Sequence, residues 1–461
     1  MEHSTYFESV DIVQLMREFP IGERFTEAFT GMTLERLRER QNALFARQLR
    51  RAWQLPFYQR LWGDAGVTPA DIRSVTDLSR LPSFGKQEIM EAIERHPPLG
   101  DHHGRDIPVD GRILPMILHA TSGTTGRPQP LLFSPRTREV HKILLARAYT
   151  MQGLRPDDVV HSVYGHGPVN GGHYVREAVV HHTGAVFFSA GTGVETPSER
   201  QVEFMRDFGA TVIVGFADYI KRLADVAREK GLVPGRDIPV RMISGHLAKD
   251  ARGALSAAWG GAALYDWYGV GDTGLIAAEG PDHDGMHVME DAHWVEICDD
   301  DTGREVPAGA AGDIVVTCLF TEDIFPIIRF NTHDVTRVLE GPSQLGLPFR
   351  RIEGFLGRSD SMVKLRGINI FPQALSSLLA GMPGFEGEYL CTLSRTSGRE
   401  ELLVSVECTE AATDQLAADY RALLRRRLGV DVAVELVPPR SLSSQTGVEV
   451  RQKPIRLLDR R

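Results

Sequence analysis

Between residues 113 and 214 the chain alternates short apolar runs with helical stretches, and no other feature restricts its fold as tightly. Apolar runs at 116–119, 159–163, 185–188 and 211–214 are separated by helical patterns at 136–151, 176–182 and 199–208. Strand, helix and strand at this rhythm predict parallel strands covered by helices. Gly184 and Gly209 each stand just before a strand, where a helix C-cap is expected. Upstream, 33–62 reads as helical, and Thr68-Pro69 reads as a capped helix start. Downstream the texture changes to strand after strand at 294–298, 313–319 and 335–339, predicting an antiparallel sub-domain. The stretch after Asp360 reads strand, helix, strand, strand, helix, strand, which predicts a small α+β domain. The expected class is α/β, with a large N-terminal domain and a small C-terminal α+β domain.

A chain of 461 residues exceeds one ordinary core. Its 42% hydrophobic and 25% charged residues are those of a globular protein. The net charge of -9 comes without a basic stripe, so no nucleic-acid partner is expected. Arg425, Arg426 and Arg427 close a helical pattern, where cations suit the helix end. Cys298, Cys318, Cys391 and Cys408 share no C-x-x-C spacing and sit in apolar runs, so they read as small buried hydrophobes of a reducing compartment. No signal-peptide pattern opens the chain, and no window reaches the roughly 18 apolar residues of a membrane span. The expectation is a cytoplasmic protein with no membrane partner.

The sharpest chemical feature follows the apolar run 116–118. His119-Ala120-Thr121-Ser122-Gly123-Thr124-Thr125-Gly126-Arg127-Pro128 places two glycines and four hydroxyls in one loop and ends on a cation. Glycines let successive N–H groups converge on one point, and hydroxyls donate to phosphate oxygens. Ordinary loop chemistry rarely gives an unbroken Ser/Thr/Gly run straight after a strand. Thr121, Ser122, Gly123, Thr124, Thr125 and Gly126 are therefore read as a phosphate cradle. The Walker spacing is absent.

This loop resembles the phosphate-loop motif of the adenylate-forming superfamily of acyl-CoA synthetases, adenylation domains and luciferases. From about residue 40 onward the chain is most similar to the phenylacetate–CoA ligase family, with Leu55-Pro56-Phe57-Tyr58, Ala65-Gly66-Val67 and Leu78-Ser79-Arg80-Leu81-Pro82 matching its N-terminal region. Tyr268-Gly269-Val270-Gly271-Asp272 resembles the family's Y-G-x-T-E. The resemblance implies that Tyr268 and Gly269 lie by the adenine and that Asp272 holds Mg²⁺. Gly271 replaces the family Thr, Asp272 replaces the Glu with an arm one methylene shorter, and Thr273 is placed to supply the missing hydroxyl. Pro326-Ile327-Ile328-Arg329-Phe330-Asn331-Thr332-His333-Asp334 implies that Asp334 grips the ribose diol, and Arg351 is implied to reach toward the nucleotide. Asp282-His283-Asp284-Gly285-Met286-His287 offers a set of metal-ligand types, but the favoured reading is a solvated turn. Gly357-Arg358-Ser359-Asp360 resembles the family hinge, which makes Asp360 the pivot between domains 1–359 and 360–461. Arg366 and Gly367 are implied to meet the thiol carrier, and Lys453 to be the adenylation lysine. A homodimer is likewise implied.

These residues imply ATP-dependent, Mg²⁺-assisted conversion of a small carboxylic acid to an acyl-adenylate, followed by transfer to coenzyme A. By position relative to the family, the acyl pocket involves Tyr164, His166, Asn170, Gly171, His173, Phe216, Asp218, Gly245 and His246. These side chains are more polar than a bare phenyl ring requires, and buried polar groups want partners. One reading is a hydroxyl- or amino-bearing aromatic acid; the other is that the polar groups satisfy one another or the backbone. Transfer to a carrier-protein pantetheine or to an amine is the alternative acceptor chemistry. A catalytically silent nucleotide-binding homologue is the alternative of a different class.

Overall fold

The computed structural model describes residues 2–121, 128–247, 252–360, 363–365, 368–396, 399–448 and 454–461. They form two compact units. The first comprises residues 1–157, 166–186 and 267–355; the second comprises 158–165, 187–266 and 356–461.

The first unit holds the expected antiparallel strands, in the order His293–Cys298, Ala311–Cys318, Phe330–Leu339, Arg351–Ile352, Met286–Val288 and Gly274–Glu279, with residues 267–270 at the end. A separate hairpin, Ile117–Ala120 with Pro130–Phe133, precedes the helix Pro135–Met151. Ser134 caps that helix by accepting from the Thr137 N–H, and Pro135 occupies its first turn. The helix is buried on nearly every side, charged residues included, so its cations and carboxylates are paired inside the protein.

Four local expectations are refined. The helical stretch 33–62 is two helices, Leu34–Ala52 and Pro56–Asp64, because Leu55 is extended ahead of a proline that opens the second. The helix expected at 176–182 begins earlier, as Asn170–His182; Gly171 and Gly172 in its first turn weaken the helical pattern. Thr68-Pro69 opens only a 3₁₀ turn, closed by reciprocal bonds between Thr68 and Asp71. Gly209 has φ +67, as its capping position requires. Gly184 does not cap: the preceding helix closes on extended Thr183. A Cβ at Gly184 would stand 2.8 Å from Pro156 Cβ, so close packing explains the glycine there.

The second unit holds residues 187–189, then Val159–Ser162, Val212–Phe216, Met242–His246 and residues 263–266 in that order, the last four strands running parallel. The helices Ser198–Asp207 and Ala217–Glu229 pack around a core that includes Ile213, Ile220, Leu223, Ile243 and Trp259. The strand Ala263–Val270 contributes residues to both units. The same unit includes a four-stranded sheet in the order Ala433–Val437, Arg399–Cys408, Phe385–Thr396 and Leu457–Asp459. Its middle pair is antiparallel and both flanks are parallel, over a core with Leu393, Val404, Tyr420 and Leu424. The helix Asp414–Leu428 carries Arg425, Arg426 and Arg427 in its last turn and ends on Gly429 at φ +75. The four cysteines are free and buried. No described helix is long and apolar enough to cross a membrane.

Candidate functional site

In the first unit the hairpin flanks the stretch read from sequence as a phosphate cradle. Ala120 pairs with Pro130 in register, and one step further Thr121 and Gln129 close the base of the loop. The Thr121 N–H donates to the Gln129 carbonyl at 3.0 Å, and the Gln129 N–H donates to Thr121 Oγ1 at 3.0 Å. Ser122, Gly123, Thr124, Thr125 and Gly126 lie outside the described residues, as do Arg366, Gly367 and Lys453.

Asp272 sits in the tight turn between the strands Ala263–Val270 and Gly274–Glu279. Its carboxylate is buried, and Oδ1 accepts a 2.7 Å bond from Gln129 Nε2. Gln129 is the one described side chain bonded to that carboxylate, and sequence reading missed it; its only signal is a long amide at the loop's exit. Beside Asp272 runs a narrow void lined by Pro130, Leu131, Thr137, Thr321 and Phe325. Burial raises the Asp272 pKa to about 6, against the opposing bond from Gln129. A Cβ at Gly271 would meet Leu131 Cδ1 at 2.9 Å, a physical reason for glycine where the resembling motif has Thr. Thr273 does not supply the missing hydroxyl: it is fully buried, and its Oγ1 donates to the Gly274 carbonyl.

Tyr268 and Asp334 come together in the same unit. The Tyr268 hydroxyl lies 2.8 Å from Asp334 Oδ2 and 3.1 Å from Thr332 Oγ1. With one proton to give, it donates to the carboxylate and fixes its orientation. The Asp334 N–H in turn donates to Thr332 Oγ1. Next to Asp334, ligand atoms of Asp300, Asp313 and His333 lie within 4.8 Å of one another. Gly269 is required by backbone proximity, since a Cβ there would stand 2.3 Å from the Gly274 carbonyl oxygen.

Arg351 is engaged within the chain. Its buried guanidinium pairs with the Asp284 carboxylate and donates to the carbonyls of Asp284, Glu340 and Gly341. Asp284 is therefore engaged, and Asp282 is buried beside His287, so the turn read as solvated is built into the structure.

The segment carrying His166, Asn170, Gly171 and His173 is tied to the loop strand, where the Ala120 N–H donates to the Pro168 carbonyl. His173 lies 5.1 Å from the His119 ring and 5.5 Å from the His166 ring, centroid to centroid. Burial lowers the His119 pKa, with the nearby Arg138 cation acting in the same direction. Asn170 Oδ1 accepts from Arg138 Nη1, and Arg138, wholly buried, also pairs with Glu177 at 2.8 Å. A guanidinium only donates, so the Asn170 amide is oriented with its oxygen toward Arg138 and its NH₂ directed elsewhere.

In the second unit Tyr164, Phe216 and His246 form an aromatic trio, with centroids 5.3 Å, 6.3 Å and 4.9 Å apart. Gly245 is needed for strand contact, because its Cβ would meet the Gly215 carbonyl oxygen at 1.8 Å. Asp218, expected in the acyl pocket, instead accepts from Arg456 at 2.8 Å. Arg456 also pairs with Glu388 at 2.7 Å and lies 4.6 Å over the Tyr389 ring. Asp360 forms a two-pronged pair with Arg358 at 2.8 and 2.6 Å.

Residues 81–318 match the family described as AMP-binding enzyme, and residues 367–461 match the AMP-binding enzyme C-terminal domain. The chain belongs to the AMP-binding enzyme family. Among the chain's relatives are phenylacetate–CoA ligases, to which it is similar over most of its length. It is 26% identical to the phenylacetate-coenzyme A ligase of Aromatoleum evansii over 96% of this chain and 97% of that protein. It resembles 2-hydroxyisobutyryl-CoA ligase in its postadenylation state with R3-HIB-AMP, with a TM-score of 0.80, 27% identity and coverage of 97% and 92%. Against that enzyme's thioesterification state with 2-HIB-AMP and CoA, the TM-score is 0.66 at 29% identity, covering 94% and 91%. This AMP-binding enzyme thus matches its relatives from end to end, and its departures at Gly271 and Asp272 lie inside the shared region.

Proposed function

We propose that the chain activates a small carboxylic acid with ATP and passes the acyl group to coenzyme A. The observation that carries this reading is the loop base clamped by Gln129 onto the buried Asp272. It supports a phosphate-binding role for the stretch that Thr121 and Gln129 bracket, next to a carboxylate that no described cation bonds. In the first step an acid oxygen bonds to the α-phosphorus and pyrophosphate leaves. In the second the CoA thiol attacks the acyl carbon and AMP leaves. Mg²⁺ fits the turn, because Asp272 offers a hard oxygen in a buried site that supplies no positive side chain bonded to it. Bound there, Mg²⁺ neutralises charge on the phosphates. Asp334, held by Tyr268, accepts from the ribose diol. The hydroxyls between 121 and 126 donate to phosphate oxygens, and Lys453 joins acid and α-phosphate as charge develops. Residues 360–461 act as the domain that turns about Asp360 between the two steps.

For the acid, the aromatic trio of Tyr164, Phe216 and His246 supports a flat ring carrying a hydroxyl or amino group. A second reading is a short hydroxy acid. Orientation of the Asn170 amide supports it, since an NH₂ donor recognises an oxygen acceptor, and so does the 2-hydroxyisobutyryl-CoA ligase likeness. Pyrophosphate exchange over substituted benzoates, phenylacetate and short 2-hydroxy acids separates the two. Unsubstituted phenylacetate outrunning every hydroxylated acid would overturn both. AMP release that needs CoA alone supports the acceptor; release only with an amine or a carrier protein overturns it. Lys453→Ala is expected to abolish exchange while leaving ATP binding intact.

A further inference from the structure

Gln129 is held at three points. Its N–H and C=O both bond to Thr121, closing the loop base, and its side-chain amide donates to Asp272 Oδ1. The residue is 2% exposed and Asp272 is 8% exposed, so the contact is shielded from water. Asp272 lies on a turn whose backbone belongs to a different hairpin, and no other described side chain bonds to its carboxylate. The geometry points to Gln129 as a positioning residue: it couples the base of the phosphate loop to the orientation of Asp272, holding Oδ1 and presenting Oδ2 to the metal. The inference rests on the adenylation reading above.

The chemistry favours a neutral amide for this task. A Lys or Arg would satisfy the buried charge itself and compete with an incoming cation, whereas an amide orients the carboxylate and leaves its charge available. Arm length also matters. Asp272 is shorter by one methylene than a glutamate, and Gln129 reaches it from the loop with an arm one methylene longer than asparagine. The two lengths are complementary, so a length exchanged between them should be recoverable.

The test uses the full chain and the variants Gln129→Met, Gln129→Asn, Asp272→Glu and the pair Gln129→Asn with Asp272→Glu. Calorimetry reads ATP affinity as a function of Mg²⁺, and pyrophosphate exchange reads half-saturating Mg²⁺ separately from kcat. Gln129→Met keeps the volume and removes the donor. It is expected to raise half-saturating Mg²⁺ by about tenfold to a hundredfold, the usual effect of losing a partner of a metal ligand. ATP binding without Mg²⁺ should be unchanged. Each single length variant should weaken Mg²⁺ dependence, and the pair should recover most of the loss. Unchanged Mg²⁺ dependence in Gln129→Met overturns the proposal. If Gln129→Met fails to fold, the length pair decides: recovery supports coupling, and a pair that sums the two single losses overturns it. Wild-type protein that exchanges pyrophosphate with no acid defeats the adenylation reading instead, a result distinct from any Gln129 outcome.

Discussion

Two buried carboxylates in the first unit receive opposite treatment. Glu139, on the helix Pro135–Met151, accepts from Lys142 at 2.8 Å, from Tyr6 and from His182 at 3.3 Å. Burial alone pushes its pKa up, but these bonds and the Lys142 charge outweigh it and bring the group down to about 2. Asp272 is also buried, but against that burial stand only the neutral Gln129 amide, its own backbone N–H and the Lys86 charge, so burial wins and its pKa rises to about 6. The fold evidently has cations for buried carboxylates, since Arg138, Lys142 and Arg147 are all interior. Among the described residues, none of these cations bonds to Asp272, and Lys86 reaches it only through its charge. A carboxylate satisfied within the chain serves stability; one left short of positive charge is set up for a cation from outside.

The strongest way to break this comparison is Asp272→Asn. It should lower kcat for pyrophosphate exchange by about a hundredfold to a thousandfold, as loss of a preorganised electrostatic group does. Thermal unfolding should show the midpoint unchanged or raised, because a buried charge without a bonded cation has been removed. A variant that exchanges at the wild-type rate would deny Asp272 its role. Glu139→Gln should do the reverse: exchange per folded molecule persists, while stability at neutral pH falls by on the order of 2 to 3 kcal/mol. The sign follows from a folded pKa below the ordinary 4.5: the contribution is present above pH 4.5 and is lost as pH falls toward 2. Urea midpoints between pH 5 and pH 3 should therefore drop more steeply for wild type than for Glu139→Gln.

The alternation of strand and helix is a property of local periodicity, so the parallel strands, the antiparallel strands and the small C-terminal sheet were all legible from residue patterns. Tyr268, Asp272 and Asp334 could be proposed because they stand in contiguous motifs, and the structure brings the Tyr268 hydroxyl to Asp334. Gln129 was not, since its partner lies 143 positions away and nothing local to Pro128-Gln129 announces the contact. The partners of Arg351 and Asp218 were hidden from the sequence for a related reason. Position relative to a motif says that a charged side chain is near a site, but the ion partner decides where the charge points. Those partners, Asp284 and Arg456, lie 67 and 238 positions away. Gly184 and Gly271 teach the same about glycine: Pro156 and Leu131 crowd them from outside their own segments.

Gly271→Thr sharpens the comparison at the turn itself. The new Cβ must displace Leu131, and overpacking of this kind costs about 1 to 3 kcal/mol. Leu131→Ala in the same chain should recover part of that loss in thermal unfolding. No recovery would mean that the turn backbone, rather than Leu131, excludes a side chain.

The smallest effect separates a pocket residue from a structural partner. Asp218 is 42% exposed in its side chain and pairs with Arg456, which keeps Glu388 as a second partner. Water screens such a pair, so Asp218→Asn should lower stability by roughly a few tenths of a kcal/mol. The relative rates of pyrophosphate exchange across the acid panel should not change, because the carboxylate faces a guanidinium within its own unit. A reordered panel, with stability intact, would return Asp218 to the acyl pocket. It would also show that the second unit, like the first, leaves a charged side chain available to a ligand from outside.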